Sequence, residues 1–70
     1  NNNLMEITMK VEGMMCSHCE AAVKKALESI GGVKEATPDH KSGTVVVILE
    51  ENVDFEILKK AVEDKDYKVL

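Results

Sequence analysis

Cysteine is scarce in this chain, with two thiols in 70 residues, so the sequence allows at most one disulfide. Cys16 and Cys19 lie three positions apart, and closing so short a loop restricts an unfolded chain very little. A disulfide framework is therefore excluded, and a reduced, ligand-capable pair is expected. Aromatic residues are almost missing, with one Phe, one Tyr and no Trp, and neither they nor the single proline flank the cysteine pair as they would in a redox site. Basic residues are outnumbered nine to thirteen, giving a formal charge of −4 and a pI of about 5.0. Phosphate backbones call for a clustered basic face, so nucleic acid is not an expected partner. No apolar run approaches a membrane span and no basic-plus-apolar leader is present, so a soluble chain without direct membrane insertion is expected.

Enough apolar material remains to build a core. Hydrophobic residues make up 44% and charged ones 31%, which suits one small globular domain over residues 1–70. The opening Asn1-Asn2-Asn3, in place of Met, reads as disordered or appended residues, or as the start of a domain cut from a longer protein.

Met5 to Val11 alternate strictly, with Met5, Ile7, Met9 and Val11 apolar, which predicts a strand with one buried face. Gly13 ends it. From Cys19, the positions Ala22, Val23, Ala26, Leu27 and Ile30 recur at helical spacing, and Gly31-Gly32 supplies the stop. Val33 to Pro38 predicts an edge strand, because proline cannot donate to a ladder. The turn from Asp39 to Gly43 leads into Thr44 to Leu49, whose β-branched density marks a central strand. Asp54 caps a second helix with Phe55, Leu58, Ala61 and Val62 as its buried stripe. Tyr67 to Leu70 is a last short strand.

This βαββαβ order folds most simply as two interleaved βαβ units. The expectation is an α+β, ferredoxin-like sandwich: a four-stranded antiparallel sheet in the order 4-1-3-2 with both helices on one face. In that arrangement the Cys16 loop and the segment Lys65-Asp66-Tyr67 meet at one end of the sheet.

The stretch from Gly13 to Glu20 sits at the first strand-to-helix junction. Ser17 and Glu20 have the spacing of a capping box, which starts the helix between the cysteines and leaves Cys16 in the loop. A helix N-terminus carries unpaired N–H groups and partial positive charge, both favouring thiolate, the form that binds metal. Two thiolates at this junction suit a soft metal.

Gly13, Met14, Cys16 and Cys19 form the pattern Gly-Met-x-Cys-x-x-Cys. With Val23, Ala26, Leu27, Gly32-Val33, Leu58, Ala61, Val62 and Tyr67, the chain from Met5 to Leu70 resembles a heavy-metal-associated (HMA) domain. That is the small module of copper chaperones and of the N-terminal segments of copper-transporting P-type ATPases. The resemblance implies Cu(I) held by Cys16 and Cys19, with Cys16 leading the exchange, and transfer through shared thiolates without catalysis. The implied partner is a matching metal-binding domain of an ATPase or chaperone in the cytoplasm, with a metal-bridged homodimer as a further option.

Met14 is expected to support the loop from the core, Tyr67 to shield the metal, and Lys65 to offset the negative charge of a bis-thiolate. Tyr67 also resembles bacterial members of the family. Met15 stands where a small polar residue is common and places an apolar thioether beside the metal. Asp66 replaces a usual glycine, which predicts a strained or reshaped turn, and Ala36 and Pro38 replace valines in the edge strand. His18 is expected in solvent. His40 is expected as a surface histidine roughly 10 Å across the sheet. The acidic group Glu50, Glu51, Asp54 and Glu56 offers to steer a basic partner domain. Alternatives are a mercury(II) carrier, since mercury(II) also takes two thiolates in line, and a thiol–disulfide oxidoreductase of thioredoxin type with Cys16 as nucleophile. Zinc fits less well because it wants four ligands.

Overall fold

Strand β1 (Met5–Glu12) buries Met9 and Val11 and leaves Glu6, Thr8, Lys10 and Glu12 exposed, so the two-residue alternation sets its inner face. The computed structural model describes residues 4–70; the expectation for Asn1 to Asn3 lies outside the described residues. After β1 come α1 (Ser17–Glu28), β2 (Val33–Asp39), β3 (Thr44–Leu49), α2 (Phe55–Glu63) and β4 (Lys68–Val69). The strands form one antiparallel sheet in the order β2-β3-β1-β4, which is the expected 4-1-3-2 seen from its other edge.

Register brings the inner side chains together. Met9 pairs with Val45 and Ile7 with Val47 across β1 and β3, while Ala36 lies opposite Val47 across β2 and β3. Val23 and Leu27 of α1 and Leu58 and Val62 of α2, each pair four residues apart, are fully buried against this face in a single core. Each such side chain contributes roughly 1.5–3 kcal/mol of hydrophobic stabilisation.

Helix α1 also seals the sheet edge. Glu28 accepts the Ala36 amide at 3.1 Å, and Lys24 donates to the Ala36 carbonyl at 3.0 Å and to Glu28 at 2.9 Å. Pro38, two residues on, has no N–H to offer. The Ala36 groups of this edge are thus occupied and the Pro38 amide is missing, which discourages another strand from pairing there. The Lys24 ammonium and then the Ala36 amide hold the Glu28 carboxyl below its usual range.

Several expectations need correction. Met5 is 40% exposed rather than core, because β4 pairs only with Val11 and Glu12 and leaves the start of β1 without a neighbour on that side. Phe55 is also 40% exposed. It opens α2 at the same end of the sandwich, and the buried stripe falls to Leu58 and Val62. β4 is two residues long because the turn after α2 runs through Asp66. β2 carries a bulge between Val33 and Glu35 that interrupts its register with β3.

Gly32 shapes the turn that leads from α1 into β2, three residues past the C-cap Ser29. Its φ is +100°, and an added Cβ would lie 2.7 Å from Val53 Cγ2. At the other helix end, Asp66 takes φ 71°, the one positive value among described non-glycine residues. The turn therefore keeps a glycine-like shape with an aspartate in it, and the expected strain is present. Because Asp66 is exposed, backbone strain dominates its substitutions. Asp66→Val is expected to lower stability in urea unfolding by about 1–2 kcal/mol, whereas Asp66→Gly does not lower it. Equal losses in both variants would show that the aspartate side chain, not φ, matters.

Candidate metal centre

Gly13 turns the chain out of β1 with φ +105°, and a Cβ there would meet Tyr67 Cδ1 at 3.1 Å. Glycine is needed for the turn and for the close approach of the ring. The next residues divide sharply. Met14 is 5% exposed and belongs to the core, Met15 and Cys16 are exposed, and α1 then begins.

Cys16 is the N-cap residue, extended at φ −161° and ψ 180°, and its carbonyl accepts the amides of Cys19 at 3.1 Å and Glu20 at 3.2 Å. No side chain caps the helix. The position that Ser, Thr, Asp or Asn usually fills is held by a thiol not spent on capping. Cys19, in the first turn, is half-buried, and both cysteines are free.

The helix does start between the two cysteines as expected, but the capping box does not form. Ser17 is one residue late to be the N-cap, and Glu20 turns elsewhere. Its Oε2 accepts the His40 backbone amide at 2.7 Å and lies 2.6 Å from His40 Nδ1. His40 offers two donors from the β2–β3 turn, whereas a capping box offers Glu20 only one. His40 is thus no free surface residue; its side chain and that of Glu20 are 29% and 25% exposed. The His40 amide, then its side chain, hold the Glu20 carboxyl below the usual carboxylate range. The same turn is tied to β1, because the Val11 amide donates to the Gly43 carbonyl at 2.8 Å and the Gly43 amide to Asp39 at 2.9 Å. Both sides of the cysteine loop are therefore moored to one hairpin. Sequence reasoning missed this mooring, since a residue pair twenty positions apart leaves no local signal.

The Cys19 thiol is acidified from 9.0 to about 7. The largest cause is the Met15 backbone amide, followed by the Tyr67 hydroxyl; burial opposes them, and the Cys16 amide and thiol assist. Tyr67 responds in kind. Its phenol is pushed up by its hydrogen bond to Cys19, by burial and by negative charge on both cysteines. Near neutral pH a large share of Cys19 is therefore thiolate.

Tyr67 meets the cysteine loop at the same end of the sheet. Lys65 does not join them. It is exposed, beside Ala22 and Lys25 on the groove between the helices, with no hydrogen bond or ion pair to the thiols among the described residues. His18 is exposed. Among the described residues no group of three or more His, Cys, Asp and Glu side chains is placed to hold a metal.

Residues 8–68 match the model of the heavy-metal-associated domain. The chain belongs to this family. A copper chaperone CopZ from Staphylococcus haemolyticus is 44% identical over 62 residues, covering 87% of this chain and 91% of that protein. Among solved structures, a CopZ metallochaperone superposes with a TM-score of 0.91 at 37% identity, over 94% of this chain and 100% of its own. The Cu(I)-loaded N-terminal domain of a potential copper-translocating P-type ATPase from Bacillus subtilis follows at 0.86 and 30%, over 94% and 84%. This HMA domain shares their fold, and among its described residues no helix is long and apolar enough to cross a membrane.

The Glu20 mooring carries a pH signature. A carboxylate with a depressed folded pKa contributes stability above the unfolded value of about 4.5, lost as pH falls through the folded one. Glu20→Gln is expected to be less stable than wild type at pH 7 and to lose less than wild type between pH 5 and 3 in urea unfolding. Parallel curves would remove the pair from the stability of the site.

Proposed function

We propose that this HMA domain carries one copper(I) ion between Cys16 and Cys19 and passes it to a matching domain by thiolate exchange. The observation that supports this best is the division of labour between the two sulfurs. Cys16 stands exposed at the N-cap, and Cys19 is half-buried with its thiolate stabilised by the Met15 amide and the Tyr67 hydroxyl.

Cys19 is the anchor and Cys16 the leading hand. Two thiolates bind a soft monovalent ion in line and leave its flank open to an incoming thiolate. As the partner's sulfur bonds to copper, the bond to Cys16 breaks, the ion stays in the +1 state, and the released thiolate takes a proton. Tyr67 screens the anchored side, and Met14 supports the loop from below. The role given to Lys65 has no contact in its favour, so it is left as long-range charge compensation at most.

The nature of the relatives supports two settings, a cytoplasmic chaperone or a metal-binding domain of a copper-transporting ATPase. In either, the receiving partner is a domain with an equivalent thiol pair. A second copy of this chain meets the same description, so a metal-bridged pair of copies belongs to the proposal. No chemistry of its own is assigned to the domain beyond ligand exchange, and insulin reduction by the purified chain would argue for the redox alternative.

The test is an anaerobic competition titration against a copper(I) chelator. Wild type is expected to retain one equivalent, while Cys16→Ser and Cys19→Ser each weaken binding by at least about tenfold, the equivalent of about 1.4 kcal/mol. Undiminished binding in either serine variant, or preference for mercury(II) with no retention of copper(I), would contradict the proposal.

A further inference from the structure

Met15 is the most exposed of the large apolar side chains described, at 78%, against 5% for Met14 beside it and 1% for Met9. An isolated exposed apolar residue is ordinary. What sets Met15 apart is where it stands. It precedes the exposed Cys16 directly, on the short loop between the buried Met14 and the first turn of α1 that holds Cys19. The residue is thus one peptide bond from one cysteine and four positions from the other.

Its side chain contributes nothing to the core and carries an unbranched, flexible thioether. A thioether is a soft, neutral donor that selects copper(I). Two thiolates in line leave the flank of that ion uncovered, and the vacancy is greatest when one thiolate has been given up.

Building on the copper(I) proposal above, we infer that the Met15 Sδ is a third, replaceable copper(I) ligand that takes the place of Cys16 when that thiolate is released. In the step, a copper–thiolate bond to Cys16 breaks as a copper–thioether bond to Met15 forms. Copper stays monovalent, no electron moves, and the freed Cys16 sulfur is protonated by solvent. Met15 thereby keeps the ion two-coordinate on Cys19 before loading is complete and while a partner draws it off.

The single-thiol background exposes this role. Cys16→Ser is compared with Cys16→Ser/Met15→Leu, since leucine keeps the apolar volume and removes only the sulfur. Under anaerobic competition, the double variant is expected to bind copper(I) at least about tenfold more weakly than Cys16→Ser, about 1.4 kcal/mol. X-ray absorption of the copper-loaded proteins should then count two sulfurs in Cys16→Ser and one in the double variant. Equal affinity and equal sulfur counts in the two would overturn the role of Met15 while wild-type binding through both thiols stands. Failure of wild type to hold copper(I) on its two cysteines would overturn the parent proposal, and this one with it.

Discussion

One carbonyl, that of Cys16, organises the functional end of the molecule. It accepts the amides of Cys19 and Glu20 at 3.1 and 3.2 Å, closing the first turn of α1 and setting a thiol on either side of the boundary between loop and helix. The extended backbone at Cys16 sends one sulfur into solvent, and the helical backbone at Cys19 holds the other half-buried against Tyr67. Move that turn by a residue and the pair no longer divides into an exposed thiol and a sheltered one. The rest of the sandwich keeps the turn where it is: β1 delivers the loop, β4 delivers Tyr67, and the β2–β3 turn moors both flanks through Val11 and Glu20.

The electrostatics follow from that placement rather than from charged residues. The groups lowering the Cys19 pKa are the Met15 amide first, then the Tyr67 hydroxyl and the Cys16 amide and thiol. Neutral donors suit the copper(I) exchange proposed above, because they stabilise thiolate without leaving a fixed positive charge to repel a cation. Strain sits close by. Asp66 at φ 71° precedes Tyr67, and Gly13 at φ +105° passes under its ring, so the phenol is gripped by two tight turns.

Periodicity made most of the fold legible. The alternation of Met9 and Val11, the four-residue spacing of Val23 with Leu27 and of Leu58 with Val62, and the density of Val45 to Leu49 each report a face that the core selects. The strand order followed from connection rules. Met5 and Phe55 were misassigned because pattern alone does not tell where a sheet runs out of neighbours. At the site, the cysteine spacing and the place of the helix start were local and legible. The Glu20–His40 pairing was not, since a carboxylate with two possible uses is assigned only when the hairpin arrives beside it. The acidified thiol draws first on the nearby Met15 amide and then on Tyr67, which enters from the far end of the chain.

The claim beneath all of this is that the fold prepares Cys19 as a thiolate at neutral pH before any ion arrives. Residue-resolved titration of the reduced chain, by NMR with labelled cysteine Cβ, tests it directly. The Cys19 midpoint is expected near 7, moving upward in Tyr67→Phe. A Cys19 that titrates near 9.0, or that ignores the loss of the Tyr67 hydroxyl, would contradict the account.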